Sequence, residues 1–190
     1  MQCPRPVAAL ASLALLFGPA LATESFDVEK DSTSLPQPVG ASVIGIDARC
    51  SFLRTNGENA CASWPINLAN LGLKPGDRIR LDALGDYSLA AGQLPEETRE
   101  MIGVFSSSAT LLPGDKLNRV AGAIDAGTDV VTAPTWHGRR DTDITPDFAI
   151  GSIKIRIPAG ARYLFVAAPD IFSSDNTDPD ADYAVRVALF

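Results

Sequence analysis

The stretch GSIKIRIPAG, residues 151–160, indicates the fold class of this 190-residue chain. Its three isoleucines alternate with Lys154 and Arg156, so an extended chain here would place apolar side chains on one face and cations on the other. The Pro-Ala-Gly sequence that follows favours a turn, which would end the strand. The stretch therefore predicts a β-strand in a sheet that packs on the core with one face.

The same pattern recurs at short intervals along the chain. In DYAVRVAL, residues 182–189, apolar residues occupy alternate positions, and the turn signals LKPGD and LLPGD separate other runs. Strands are predicted at residues 39–46, 78–87, 101–106, 117–124, 129–133, 150–157, 162–168 and 182–189. Only INLANLGL and PEETREM favour a helical turn. Short strands at this spacing are typical of an all-β, two-sheet β-sandwich, and we predict a jelly roll over residues 39–190.

The composition indicates one globular domain with an acidic surface. Hydrophobic residues make up 46% of the chain and charged residues 21%, which is enough apolar material for a core. The formal net charge is −7. This balance argues against nucleic acid and anionic membranes as partners, because both attract Lys and Arg.

The N-terminus has the features of an export signal. Arg5 precedes VAALASLALLFG, an apolar run that is too short to cross a bilayer. Ala20 and Ala22 are small residues at the two positions that a signal peptidase reads. We therefore predict a signal peptide at residues 1–22, a polar, flexible leader at 23–38, and a secreted, periplasmic or cell-surface domain with no membrane span. An uncleaved membrane anchor is the alternative.

The cysteines predict one disulfide. Cys3 precedes the apolar run and would leave with the signal peptide, so Cys50 and Cys61 form an even pair in an exported chain. Asn56-Gly57 between them is a turn signal that would bring the two cysteines together. A metal site would need more ligands at short spacing, and a catalytic thiol would need a histidine partner.

Residues 170–182, which we call the acidic loop, predict a Ca²⁺ site. The loop contains five carboxylates, at Asp170, Asp175, Asp178, Asp180 and Asp182. No Lys or Arg lies between Arg162 and Arg186 to offset them. Carboxylates this close repel unless a cation lies between them, and Ca²⁺ takes 6–8 oxygen ligands. The spacing is not that of an EF-hand, and the alternative is a solvated loop that only aids solubility.

Two stretches resemble the calcium-dependent galactose-binding lectins of bacteria, a family related to exported proteins that carry C-terminal sorting tails. They are LKPGDRIRLDALGDY, residues 73–87, and YLFVAAPDIFSSDNTDPDADYAVRV, residues 163–187. The resemblance implies a small jelly-roll sandwich in which Ca²⁺ coordinates two sugar hydroxyls. The family's histidine and glutamine beside the metal have no match in this sequence.

The resemblance also implies a set of metal ligands. Asp170 matches the first calcium carboxylate, Ser174 a hydroxyl or backbone ligand, and Asp175 and Asn176 lie near the paired amides. A main-chain carbonyl near Tyr87 would complete the shell. Asp178, Asp180 and Asp182 extend the loop beyond the family pattern and could build a different or second site.

Aromatic residues are the expected sugar contacts. Trp64 follows Cys61 closely, and we expect it to pack beside the disulfide. Trp136 and His137 lie in APTWHGRRD, a loop with Pro and Gly, and we predict that they contact the ligand together with Asp170.

These observations predict an exported, calcium-dependent carbohydrate-binding domain without catalytic activity. The alternatives are a calcium-stapled structural or adhesion module with no sugar site, and a hydrolase. A serine hydrolase would use the single histidine, but no nucleophile elbow is present. Asp141, Asp143 and Asp147 could serve as catalytic carboxylates or as a second Ca²⁺ site, although Arg139 and Arg140 beside them favour salt bridges.

Overall fold

A computed structural model describes residues 40–55, 59–90, 98–127, 144–170 and 172–190, all within one compact unit that spans Pro36–Phe190. The strands among these residues are β1 (Ser42–Gly45), β2 (Cys50–Ser51), β3 (Cys61–Ala62), β4 (Ile66–Asn67), β5 (Arg78–Leu84), β6 (Met101–Ser106), β7 (Ala123–Ile124), β8 (Phe148–Ile150), β9 (Ser152–Arg156), β10 (Tyr163–Ala167) and β11 (Ala184–Leu189). Short 3₁₀ turns occur at Leu68–Leu71 and Ser173–Asp175. The described residues contain no helix with the length and apolar character that crossing a membrane requires. The predicted signal peptide and leader lie outside the described residues.

Nine of the strands form two antiparallel sheets, and β2 and β3 form a separate parallel pair. One sheet has the order β1-β11-β5-β9, and the other has the order β4-β10-β6-β7, with β8 also paired to β6. Buried side chains from both sheets meet in one hydrophobic core. The prediction of an all-β, two-sheet sandwich is confirmed, while the jelly-roll connectivity stays a prediction.

The alternation of the quoted stretches matches the burial of their side chains. Ile155 and Ile157 are buried, while Lys154 and Arg156 are exposed. The inner residues of the four-stranded sheet pack against apolar side chains of the five-stranded sheet. These inward residues include Ile79, Leu81, Ile155, Val185 and Val187 on one side and Met101, Phe105, Phe148, Leu164 and Val166 on the other.

The five-stranded sheet is also covered on its second face. Ile102 and Val104 of β6 and Phe165 of β10 pack in a separate cluster with Phe52 and Leu53, next to the disulfide. Every residue of β6 is therefore buried. Burial on both faces explains why β6 and β10 are continuous apolar runs in the sequence, without polar residues at alternate positions.

Backbone conformation accounts for the predicted strands that differ from the observed ones. The strand predicted at 150–157 is divided at Gly151 into β8, in the five-stranded sheet, and β9, in the four-stranded sheet. Of residues 117–124, only the last two form a strand, because Asn118 has a φ of 51° and interrupts the extended chain. Gly85, with a φ of 67°, ends β5 before the predicted residue 87. The strand predicted at 129–133 lies outside the described residues.

The predicted disulfide between Cys50 and Cys61 is confirmed. The short strands that carry the two cysteines are parallel, with Cys50 opposite Cys61. A hairpin turn joins antiparallel strands, so the segment between the cysteines is not a simple hairpin. Asn56 and Gly57 themselves lie outside the described residues.

The outer face of the four-stranded sheet carries a buried carboxylate. Asp82 of β5 is only 4% exposed and accepts hydrogen bonds from Arg80 Nε at 2.8 Å, Arg186 Nη2 at 2.9 Å and Ser152 Oγ at 2.7 Å. Burial would raise the pKa of Asp82, but the bonds from Ser152, Arg80 and Arg186 together outweigh it and lower that pKa. This network joins β5, β9 and β11 across the sheet.

Candidate metal centre and adjoining clefts

Three carboxylates of the acidic loop converge at one point. One oxygen from each of Asp178, Asp180 and Asp182 lies within 4.8 Å of the other two. We call these residues the carboxylate trio. Oxygen ligands from alternating aspartates, partly exposed to water, have the chemistry that Ca²⁺ prefers. The trio is therefore the candidate metal centre.

The end of β5 holds one member of the trio in place. Asp182 Oδ1 accepts a hydrogen bond from the main-chain N–H of Asp86 at 3.0 Å. This contact depends on Gly85, because a Cβ at that position would overlap both the side chain and the carbonyl group of Asp182. Gly85 also adopts a left-handed conformation, with a φ of 67°. The sequence therefore positions Asp182 through a glycine that no ligand motif would identify.

The second member of the trio closes the loop on itself. Asp178 Oδ1 and Oδ2 accept hydrogen bonds from the main-chain N–H groups of Asp182 and Tyr183, both at 3.3 Å. Ala181, which lies between Asp180 and Asp182, adopts a left-handed conformation with a φ of 57°. This conformation reverses the chain and brings the three side chains together. The pKa of Asp178 is raised, first by burial and further by the neighbouring Asp180, although the two main-chain hydrogen bonds oppose the rise. A divalent cation at the trio would offset this repulsion.

The other predicted ligands do not join the trio. Asp170 Oδ1 accepts a hydrogen bond from the N–H of Phe172 at 2.9 Å, and Ser174 and Asp175 are exposed on a 3₁₀ turn. Tyr87 is fully buried, and its carbonyl accepts a hydrogen bond from the N–H of Thr98 at 3.1 Å. Tyr87 instead packs against Tyr183, the residue that follows the acidic loop, with the two ring centroids 4.8 Å apart.

Two buried polar residues attach the acidic loop to the segment after β1. Asn176 is fully buried, and its Nδ2 donates to the carbonyl of Ala48 at 3.0 Å. Ser173 Oγ donates to the carbonyl of Arg49 at 3.2 Å. Asn176 Oδ1 has no hydrogen-bond partner among the described residues, and Asn176 lines a cleft of about 560 Å³ together with Asp178 and Asp47. The first half of the loop is thus attached to residues 48–49, and its end is attached to Asp86, just after β5.

A second group of potential metal ligands does not form a site. Asp47 lies near Cys50 and Cys61, but both sulfurs are in the disulfide and offer no thiolate. Asp47 instead pairs with Arg49 at 2.9 Å. This side-chain hydrogen bond from Arg49 lowers the pKa of Asp47, despite the opposing effect of partial burial.

Trp64 does not pack beside the disulfide as expected. The residue is 87% exposed. The neighbouring Ser63 takes the inward position and donates to the carbonyl of Cys50 at 3.1 Å, so the next side chain points outward. Trp64 lines a cleft of about 290 Å³ together with polar residues, which include Asp47, Asn67 and Asn70, and with the apolar side chains of Ile44 and Ile66. We call this the Trp64 cleft.

Of the other predicted site residues, only Asp147 lies within the described part of the chain. Trp136 and His137, the predicted sugar contacts, lie outside the described residues, as do Asp141 and Asp143. Asp147 is described and is 2% exposed. It is buried immediately before β8, and the catalytic or second Ca²⁺ role considered for the three aspartates stays a prediction.

No family model, curated protein or solved structure matches this chain. The resemblance to the calcium-dependent galactose-binding lectins therefore stays a prediction that rests on the two quoted stretches of sequence.

Proposed function

We propose that this chain is an exported, non-catalytic domain that binds Ca²⁺ at the carboxylate trio and a saccharide in the Trp64 cleft. One observation carries the proposal. The cleft lined by Asp178 and the Trp64 cleft share a wall formed by Gly45, Ile46 and Asp47, so the metal centre and the exposed tryptophan flank the same segment.

The chemistry of the trio supports calcium as the ion. Its side chains are carboxylates on a loop, and Ca²⁺ accepts irregular oxygen coordination, whereas Mg²⁺ requires near-ideal octahedral geometry. Water molecules and main-chain carbonyls would supply the other ligands of a partly exposed site. Burial is the main cause of the raised pKa of Asp178, and the neighbouring Asp180 adds to it. The repulsion from Asp180 is the part of this effect that a bound cation would relieve.

The chemistry of the Trp64 cleft supports a saccharide as the ligand. An exposed indole offers a flat apolar surface on which the C–H face of a pyranose ring can lie. Asn67 and Asn70 lie on the same cleft and have amide groups that can donate to hydroxyl groups. Asn67 Oδ1 already accepts from the N–H of Ala69 at 3.0 Å. A small number of polar groups around an apolar platform is the usual composition of such sites.

The acidic loop supplies a physical link between the two sites. Ca²⁺ would order the loop, and Asn176 and Ser173 join the loop to the carbonyls of Ala48 and Arg49. Those residues directly follow the wall that both clefts share. Sugar binding is therefore expected to weaken without calcium, even if no sugar hydroxyl reaches the ion.

Export is supported by the disulfide. The bond between Cys50 and Cys61 forms and persists in oxidising compartments, such as the periplasm or the exterior of the cell. The signal-peptide features of residues 1–22 agree with this location.

A glycan array, followed by calorimetry on any hit, tests the proposal in Ca²⁺ and in EGTA. The unmodified protein should bind a neutral glycan in calcium. Trp64→Ala should lose that binding, and the double variant Asp180→Asn/Asp182→Asn should weaken it. Phe172→Ala is the matched control, because Phe172 is an exposed aromatic residue outside the cleft. Binding that survives Trp64→Ala, or turnover of an ester or glycoside substrate, would contradict the proposal.

A second function is favoured by the hydrogen bonds of the trio. Asp182 accepts a hydrogen bond from the N–H of Asp86, and Asp178 accepts from the N–H groups of Asp182 and Tyr183, just before β11. An ion bound by these aspartates would therefore fasten the loop to the sheet. A structural or adhesion module would then need no sugar. Calcium-dependent melting without binding to any glycan would identify this alternative.

A further inference from the structure

The outer face of the four-stranded sheet is basic in an otherwise acidic chain. The register of the sheet brings five cations to this face: Arg78, Arg80, Lys154, Arg156 and Arg186. Asp82 is the carboxylate among them, and it binds Arg80 and Arg186. The whole chain has a net charge of −7, so the positive charge is concentrated on one surface.

Three of these cations surround a small cleft at one corner of the sheet. Arg78, Lys154 and Arg156 line a space of about 240 Å³ together with Phe190, a residue that is 61% exposed. We call this the basic corner. Lys154 Nζ lies 3.4 Å from the centroid of the Phe190 ring, which holds the ammonium group over the cleft. None of the residues that line it is acidic.

The like charges at and next to the basic corner destabilise the sheet. Arg78 lies directly opposite Arg156, and Arg80 lies directly opposite Lys154. Like charges at opposite positions of antiparallel strands are destabilising. Asp82 relieves Arg80, but among the described residues neither Arg78 nor Lys154 has a carboxylate partner. An anionic ligand would relieve this repulsion.

We propose that the basic corner binds the carboxylate groups of an acidic polysaccharide built from uronic acids. The choice of a saccharide rests on the proposed function, and the choice of an anion rests on the three cations. The backbone positions that carry neighbouring cations are roughly 5 Å apart across the strands and about 7 Å apart along them. This spacing is comparable to the size of a pyranose ring, and a uronate polymer carries one charge per ring. Duplex nucleic acid carries one charge per about 1.7 Å, which an acidic protein would repel more strongly.

The basic corner is separate from the metal centre. Arg78 begins β5, and Gly85, which positions Asp182, follows its end, so roughly 20 Å of strand lies between the two sites. The basic corner also lies at the β9 edge, whereas the Trp64 cleft is at the β1 edge. Binding at the corner is therefore independent of calcium and decreases as salt increases, because its charges are exposed.

Binding of polygalacturonate oligomers in EGTA tests this inference, with neutral dextran oligomers, poly-glutamate and single-stranded DNA for comparison. The triple variant Arg78→Gln/Lys154→Gln/Arg156→Gln should bind polygalacturonate at least about tenfold more weakly. The matched control Arg99→Gln/Lys116→Gln/Arg162→Gln removes the same charge from exposed positions elsewhere and should retain most of the binding. Melting curves establish that both variants are folded.

The variants of the other two sites separate this inference from the proposed function. Asp180→Asn/Asp182→Asn and Trp64→Ala should bind polygalacturonate as the unmodified protein does. If a neutral glycan binds in calcium but polygalacturonate does not bind, the inference is overturned and the proposed function stands. Equal loss in both triple variants, or equal binding of poly-glutamate or DNA, would also overturn it.

Discussion

Replacement of Asp180 and Asp182 by asparagine removes two of the three charges that converge at the candidate metal centre. The ligand oxygens of the trio lie within 4.8 Å of one another, so each charged pair repels by roughly 1 kcal/mol at the dielectric constant of water. Asparagine keeps the shape of each side chain and an oxygen that can accept from the N–H of Asp86. The calcium-free variant should therefore be as stable as the unmodified protein, or slightly more stable.

Calcium should have the opposite effect on the unmodified protein. For a site with a Kd of about 10 μM at about 1 mM Ca²⁺, binding to the folded state adds roughly 2.7 kcal/mol. A domain of this size gains about 2–4 °C in melting temperature per kcal/mol, so the expected increase is about 5–10 °C. Differential scanning calorimetry in Ca²⁺, Mg²⁺ and EGTA measures it. The double variant should lose most of the increase, and Mg²⁺ should give little of it.

Two further double variants locate the ion. Asp170→Asn/Asp175→Asn tests the ligands implied by the family resemblance, and the structure places both side chains outside the trio, so most of the increase should remain. Asp115→Asn/Asp125→Asn removes two exposed charges elsewhere and should leave the whole increase. A melting temperature that does not respond to calcium in the unmodified protein would refute the metal centre. Equal loss in all three variants would show a general charge effect.

Three other predictions concern the parts of the fold that support the sites. Asp82→Asn should destabilise the domain by about 2 kcal/mol in urea unfolding at neutral pH. Because the pKa of Asp82 is lowered, this contribution is present above the ordinary carboxyl pKa near 4 and is lost as the pH falls through the folded-state value, so the variant and parent should converge in acid. Cys50→Ser/Cys61→Ser should lower the free energy of unfolding by about 3 kcal/mol, because the disulfide closes a loop of about a dozen residues. If the unmodified protein is equally stable before and after reduction of the disulfide, this prediction is wrong. Gly85→Ala should weaken calcium binding at least about tenfold in calorimetry, since its Cβ displaces the carboxylate beside it, while Gly40→Ala, also at positive φ but in open space, should not.

Sequence periodicity predicted the strands correctly where one face of the strand is exposed to water. In β9, lysine and arginine at alternate positions are exposed and the isoleucines face the core, so the pattern indicates both the strand and its orientation. It does not separate β8 from β9, because the division depends on a change of sheet at Gly151. The second hydrophobic cluster was missed, although the continuous apolar sequence of β6 is a signal of burial on both faces.

The candidate site was predicted as a region and not as a set of ligands. The density of aspartates identified the acidic loop, but five carboxylates do not show which of them converge. That depends on Ala181 at a positive φ and on Asn176, whose partner Ala48 is 128 residues away in the sequence. Trp64 was expected to pack beside the disulfide because it closely follows Cys61, and only the inward position of Ser63 reveals that Trp64 is exposed.

The register of β5 and β9 has a consequence that the sequence pattern alone does not show. The alternation predicts that each strand exposes its cations, but it does not predict which residues of the neighbouring strand lie opposite them. Pairing then sets Arg78 against Arg156 and Arg80 against Lys154, although a shift of two residues would preserve the buried isoleucines. Asp82 fixes the observed register, because it accepts from Ser152 on the opposite strand and from Arg80 on its own. The network that stabilises the sheet is therefore also what assembles the basic corner.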